Sequence, residues 1–541
     1  MIRLNRESLY NKIRGCWRGK SMGSALGSRF EGMVCMVDVV DPTEKNPAMQ
    51  MSEAECLKWI DQSNREADVA HPEKNPIIPV TGFLLQPGET MPNDDLDLQM
   101  IWLMAVDELG IEAINARTLC EFWLDFVDPY WNEYGRSKVN VREGLLPPIS
   151  GEFRNGTWRN SNGAWLRTEI WACLLPGRPD EAARLALEDG SVDHGYFEGT
   201  FAACFIAALE SAAFITSDLR TLVEIGLSKV PENCYVARYV RRVLAGYDAG
   251  EDYRDLRNCI YAQAVAEHVG PFGAPNNVAF VVLGLLYGGG DFKTTIRITI
   301  NCTDDTDCTA ATVGAILGAI HGVDCIPEDW KPFVADELKS ISLLEGAIDF
   351  PRTVTDVIEH ILRILPRTCR LPSLFSRGAY RWYNEKAFIT IVDGETDFDG
   401  FDPQVLAHRS GYLDYALSHS GKSMHFDTLH ADIWIVFDEY PQLHMGQTLK
   451  GHVALRLKLS PSQKCYHVSW YAPEGWRVDS ARNIAVMQEW WYDRVIDAWP
   501  EEKFTFEIVP GERIEAQNRL VLSLQPTAHG EPILLPITVL G

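Results

Sequence analysis

The sequence predicts two parts, an all-α body followed by an all-β, immunoglobulin-like β-sandwich, and three observations carry that prediction. Up to about residue 365, every long periodic segment has the spacing of a helix. After about residue 366 the texture changes to alternating, β-branched runs broken by Pro, Gly and Asp turns. At 541 residues the chain is also too long for one ordinary core. The expected division is a helical domain over 1–365, an irregular connecting segment over 366–424 and a sandwich over 425–541.

Composition narrows the class. A hydrophobic fraction of 46% and a charged fraction of 23% are those of a soluble globular protein. Fifty Lys+Arg against 75 Asp+Glu give a net charge of −25, which repels nucleic acid and anionic membrane, so neither is an expected partner. The 13 cysteines are scattered, odd in number and without a CxxC pair, which argues against a disulfide framework and for a reducing compartment. The first residues, Met-Ile-Arg-Leu-Asn-Arg-Glu, lack the apolar core of a secretory signal, and no apolar run reaches membrane length. A cytoplasmic location is therefore expected, while the oligomeric state is not legible.

In chain order, a short helix over Leu9–Arg18 leads into Gly15, Gly19, Gly23 and Gly27, a spacing of four that permits close helix packing. The spacing is not GxGxxG and no strand precedes it, so it is no dinucleotide fingerprint. The run ends at Ser28-Arg29-Phe30-Glu31, where Glu31 reads either as a surface carboxylate or as an acid turned into a cleft. Residues 41–92 read as loops with a short helix near Ser52–Ile60. Asn93-Asp94-Asp95 then opens the amphipathic Met100–Leu109. A polar, glycine-containing stretch, Ser161-Asn162-Gly163, enters another helix, and Pro179-Asp180-Glu181 starts one more. His194 precedes the Ala-rich Gly199–Phe214, with further helices at Leu219–Val230, Val236–Ala245 and Asn277–Tyr287.

The organising stretch is Asn301–Gly322. Asp304-Asp305-Thr306-Asp307-Cys308 sets three carboxylates within four residues ahead of a helix whose Ala310, Gly314, Gly318 and Ala311, Ala315, Ala319 recur every four positions. Small side chains on broad faces predict a central, buried helix, with the acids at its N-terminal end. Such acids cap a helix or bind a cation. An EF-hand loop is a poor third reading, since neither the mid-loop glycine nor a glutamate at the twelfth position is present. Two oxygen-rich clusters, Asn93–Asp95 and Asp304–Asp307, each starting a helix, fit one shared binuclear site for a hard cation.

These motifs together resemble the ADP-ribosylglycohydrolase family, which includes the dinitrogenase reductase-activating glycohydrolase. The resemblance covers about residues 9–365 and rests on Gly15–Glu31, Asn93–Gln99, Asn162–His194 and Asp305–Gly322 in that order. It implies an all-α fold with two Mg²⁺ or Mn²⁺ ions in a central cleft. By position it assigns Asn93, Asp94, Asp95, Asp305 and Asp307 to the metals, catalytic roles to Glu31, Asp94 and Asp307, and substrate contacts to Asn162 and His194. The implied reaction is metal-dependent hydrolysis of an ADP-ribosyl, that is ribofuranosyl, bond in a small molecule or an ADP-ribosylated protein. Another furanoside or nucleoside, or a metal-binding protein without catalysis, are the alternatives. The chain departs from the family at Asn93 for Thr, Ser24 for Asp and Cys308 for the last Thr, and a thiol is a poor partner for a hard cation.

The second half reads as strands at Ile433–Phe437, Gly451–Lys458, Cys465–Trp470, Lys503–Val509, Arg519–Leu524 and Ile533–Val539. Six or seven strands in about a hundred residues predict the sandwich, as an accessory domain. Tyr380–Tyr383 is expected to pack the two parts together.

Overall fold

A computed structural model describes residues 2–40, 53–82, 88, 93–344, 346, 349–368, 389–398, 400–409, 411–428, 430–457, 464–486, 501–528 and 530–541. The expected Tyr380–Tyr383 contact lies outside them, as do the Pro-rich loop residues around 41–52.

The helical body is built around two helices in backbone contact. The expected short helix Leu9–Arg18 is one helix of 22 residues, Arg6–Gly27, because the glycines continue it rather than end it; Asn5 caps it by accepting from Ser8 N at 2.8 Å. Against it lies Thr306–His321, buried along its whole length except His321. A Cβ added at Gly15, Gly19, Gly23 or Gly27 would meet the carbonyl oxygens of Gly318, Gly314, Ala310 and Thr306 at 2.5, 2.1, 1.9 and 2.2 Å. The pairing runs antiparallel, so the C-terminal end of the first helix meets the N-terminal end of the second. Thr306 Oγ1 closes that end by donating to Gly27 O at 2.8 Å. Alanine and glycine let the backbones approach until dispersion contacts run from main chain to main chain.

The other helices surround this pair. Glu198–Ala213 and Ala274–Gly288 are almost wholly buried and Asp94–Leu109 is buried from Asp95 to Val106, and Trp102, Trp123, Trp165 and Trp171 are fully buried in the helical core. Helices were expected to start later or end earlier by a few residues at several places, and two small strand pairs interrupt the all-α pattern: Val37–Val40 runs parallel to Ile78–Thr81, and Ile2–Asn5 runs parallel to Ile389–Val392. Each is four residues long, too short to show in a periodicity reading.

The chain then forms an antiparallel β-sandwich. One sheet has, in spatial order, Ser423–Asp427, Ala431–Phe437, Leu449–Leu457, Glu502–Val509 and Arg477–Ser480; the other has Asn483–Val486, Lys464–Tyr471, Gln517–Pro526 and Ile533–Leu540. All six strands read from the sequence are present. Ser423–Asp427, Arg477–Ser480 and Asn483–Val486 are additional, five residues or fewer each.

The stretch expected to be an irregular connector contains ordered elements that pack on the helical body. Besides Ile389–Val392 it holds the short helix Gly411–Leu417, and Leu406, Tyr412, Leu413 and Ala416 join the helical core. Lys229 Nζ donates to Leu406 O at 2.8 Å, and Tyr412 donates to Glu188. In return, Leu145, Ile149 and Phe153 of the helical part sit in the sandwich core. Each such side chain contributes roughly 1.5–3 kcal/mol when buried, against a total stability of about 5–15 kcal/mol. A chain ending at residue 366 is therefore expected to be markedly less stable and to bind a hydrophobic dye. A truncate that melts cooperatively at the full-length temperature would show these contacts to be dispensable.

Candidate metal centre

Three segments far apart in sequence meet at the N-terminal end of the Thr306–His321 helix. The first is the exit of the glycine helix. Gly32 N donates to Asp304 O at 2.6 Å and Asp304 N to Met33 O at 3.2 Å, which fixes Glu31 beside the Asp305–Asp307 turn. The second is the start of Asp94–Leu109. There Asn93 caps the helix, its Oδ1 accepting from Asp95 N at 2.6 Å while its Nδ2 donates to Asp307 Oδ2 at 2.9 Å. The third is the Asp304–Asp307 turn itself. Ligand atoms of Glu31, Asp305 and Asp307 lie within 4.8 Å of one another, and so do those of Asp95, Asp307 and Cys308. Asp307 belongs to both groups. Asp94 adjoins them, raised in pKa by burial and also by Asp307, with its Oδ2 accepting from Tyr134 Oη at 2.8 Å.

The turn that aims Asp305 and Asp307 is held in an unusual backbone conformation. Thr303 and Asp304 have φ of +62° and +64°, a region costly for a β-branched residue. The fully buried Arg257 stabilises it, donating to Cys302 O at 2.8 Å, Thr303 Oγ1 at 2.7 Å and Val34 O at 3.0 Å. Asp304 is not part of the cluster; its Oδ2 accepts from Asn276 Nδ2 at 2.8 Å, and burial, opposed by Arg257, pushes its carboxyl up to about 7.

So many carboxylates cannot all be ionised without compensation. Two unit charges 4 Å apart repel by roughly 4 kcal/mol at an effective dielectric constant of ~20. Accordingly Asp95 and Asp305 are pushed well above the usual carboxylate range by burial and then by Asp307. Glu31 is exposed by surface area, yet protein hems in its carboxyl; burial, then Asp307 and Asp94, push it up to about 8. Asp95 Oδ1 and Asp307 Oδ1 are buried and receive no hydrogen bond from the described residues. Buried carboxylate oxygens without donors, converging from separate segments, fit a hard divalent cation.

Asn162 and His194, the residues expected to contact substrate, are both buried. Asn162 is buried, its Nδ2 donating to Asp305 Oδ2 at 2.6 Å and its Oδ1 accepting from Trp165 Nε1 at 2.8 Å. His194 has 0% exposure; Nε2 is 3.0 Å from Ser161 Oγ and Nδ1 is 2.9 Å from Asp193 Oδ1. Asn162 thus uses both atoms of its amide within the protein. Ser24, where the family has Asp, is buried in the glycine helix.

Sequence reading missed Lys20, Tyr134, Gln99 and Glu169. Lys20 is fully buried and donates to Glu169 Oε1 at 2.7 Å and Leu166 O at 2.8 Å. Burial works against its charge, but Glu169 and Asp95 outweigh it and raise its pKa. The one available signal was a lysine between two glycines of a helix otherwise read as buried.

A family model for ADP-ribosylglycohydrolases matches residues 5–357. The chain belongs to the ADP-ribosylglycohydrolase family. Membership supports a glycosyl-hydrolase-like function, and the family is typically metal-dependent and acts on ADP-ribosylated substrates. A solved structure of an ADP-ribosylglycohydrolase-related protein complex matches with a TM-score of 0.41 and 17% identity, over 67% of this chain and 99% of that one. Comparison with curated proteins gives no match. No described helix is long and apolar enough to cross a membrane.

Proposed function

We propose that this ADP-ribosylglycohydrolase-family protein hydrolyses an ADP-ribosyl glycosidic bond, in a modified protein or a small molecule, with Mg²⁺ or alternatively Mn²⁺. The observation that carries the proposal is the meeting of Glu31, Asp95, Asp305 and Asp307 around Asp307, which belongs to both groups. Asp94, Asp95, Asp305 and Asp307 would hold the metal. A bound divalent cation supplies a Lewis acid that orients sugar hydroxyls and a water and stabilises developing charge. The protein's own residues do the rest. Asn93 and Asn162 hold Asp307 and Asp305 by N–H donation, and Tyr134 holds Asp94. Glu31, the accessible acid of the cluster, is placed to move a proton at an oxocarbenium-like centre. Asn162 is assigned a positioning role through Asp305.

The test is a panel of ADP-ribosyl-arginine, ADP-ribosyl-serine and simple furanosides or nucleosides, assayed with Mg²⁺ and after chelation. Turnover of an ADP-ribosyl substrate that is lost on chelation is expected. Turnover of a furanoside or nucleoside alone would replace the substrate class, and metal binding without turnover of any would leave a metal-binding protein.

A pH dependence follows from Glu31. Its folded pKa of about 8 lies above the ordinary 4.5 of a glutamate. The metal-free native state then holds a proton that the unfolded chain has released, so stability from this group is full below the unfolded value and is lost as pH rises toward 8. Melting of the chelated protein should fall from about pH 5 to 8, and added Mg²⁺ should stabilise most at the upper end. A flat metal-free profile across that range would contradict the shifted acid.

A further inference from the structure

The two groups that share Asp307 differ in chemistry. Glu31, Asp305 and Asp307 offer only carboxylate oxygens. Asp95, Asp307 and Cys308 offer a soft thiol in place of the third oxygen, and Cys308 Sγ donates to Asp95 Oδ2 at 3.6 Å. The other oxygen of Asp95 faces an ammonium. Lys20 Nζ lies 3.9 Å from Asp95 Oδ1, and both side chains have 0% exposure. An ammonium has three donors; two reach Glu169 and Leu166 O, leaving a third with Asp95 in ion-pair range.

Lys20 cannot withdraw easily. It follows Gly19, whose backbone is against Gly314 O, and precedes Gly23 against Ala310 O. Its partner Glu169 is fixed in turn, since Gln99 Nε2 donates to Glu169 Oε2 at 2.9 Å and to Asp95 O at 2.8 Å. Asp95 is thus flanked by a fixed positive charge on one oxygen and a thiol on the other. A divalent ion on that side would face the ammonium's repulsion across a short, fully buried gap, offset only in part by the Glu169 carboxylate.

We infer that this centre takes one hard divalent cation, on the Glu31, Asp305 and Asp307 side, and that the buried Lys20 ammonium stands in for the second beside Asp95. The inference rests on the metal-centre reading proposed above and alters both its stoichiometry and its ligand set, since Asp95 then faces Lys20 in place of a cation and Glu31 borders the one cation that remains. The fold keeps a binuclear arrangement of carboxylates, while one of the two positive charges is supplied by the chain.

Mn²⁺ serves as the probe. Equilibrium dialysis should count one tight Mn²⁺ per chain, and its electron paramagnetic resonance spectrum should be that of an isolated ion. Cys308→Thr restores the hard oxygen but keeps the ammonium, so its count should stay at one. Lys20→Met with Glu169→Gln, which removes the buried charges as a pair, combined with Cys308→Thr, should raise the count from one to two with a spin-coupled signal. Two coupled ions in the wild-type protein or in Cys308→Thr would overturn the inference and leave the metal reading intact, as would a folded triple variant that still binds one. No Mn²⁺ bound to the wild type would instead overturn the metal reading itself. Because the wild-type and Cys308→Thr counts decide without the triple variant, failure of that variant to fold does not shield the inference.

Discussion

Asp307→Asn is expected to lower metal-dependent hydrolysis by about a thousandfold while leaving the metal-free protein as stable as before, or more so. Asp307 is the ligand common to both groups of the centre, so its charge faces a cation wherever one binds. At about 4 Å and an effective dielectric constant of ~20, each unit of cation charge is worth roughly 4 kcal/mol to that carboxylate; a loss of one such unit, about three powers of ten, is expected once water and the remaining carboxylates compensate the rest. Asparagine keeps the shape, and its carbonyl can still accept from Asn93 Nδ2. In the absence of metal the same change relieves repulsion, since Asp307 raises the pKa of Asp95 and Asp305. Calorimetric metal titration, turnover and the melting temperature after chelation read the three effects. A variant that binds metal and turns over like the wild type would remove Asp307 from the centre; one that melts far lower without metal would make its role structural.

How much of this was legible in the sequence depends on the range of the interactions involved. The glycine and alanine repeats at four-residue spacing report a local property, the shape of one helix face, and the structure pairs those faces as that shape requires. The strands of the sandwich were visible for the same reason, except where they run for five residues or fewer. The acidic clusters were visible as compositional oddities at helix starts. Lys20, Tyr134 and Glu169 were not, because a single polar residue on a buried face gains meaning only from its partner, and those partners are 149, 40 and 70 positions away along the chain. The surroundings of Asn162 and His194 were illegible for a related reason. Their residue types suit a ligand, but the sequence does not show that Asn162 bonds to Asp305 and Trp165, or that His194 lies beside Ser161 and Asp193.

Substitution in the glycine ladder should separate stability from metal binding. At Gly15 an added Cβ would sit 2.5 Å from Gly318 O, and at Gly27 it would sit 2.2 Å from Thr306 O. Both obstacles are backbone, so no side chain can swing aside, and the two helices must part. Overpacking a core typically destabilises by about 1–3 kcal/mol, and with main chain on both sides the upper end, roughly 3 kcal/mol, is expected for Gly15→Ala and Gly27→Ala alike. Gly156→Ala is the control, since nothing lies within 4 Å of its added Cβ. The consequences for the centre differ. Gly27 lies at the end where Ser28–Phe30 leads to Glu31, against the turn that carries Asp305 and Asp307. Parting the helices there pulls Glu31 away from those carboxylates, whereas parting them at Gly15 opens the opposite end. Chemical denaturation should therefore show similar losses for the two variants, while metal titration well below their melting temperatures should show at least a tenfold weaker affinity for Gly27→Ala and near wild-type affinity for Gly15→Ala. Equal affinities in both would mean that the glycine helix supports the fold without setting the position of Glu31.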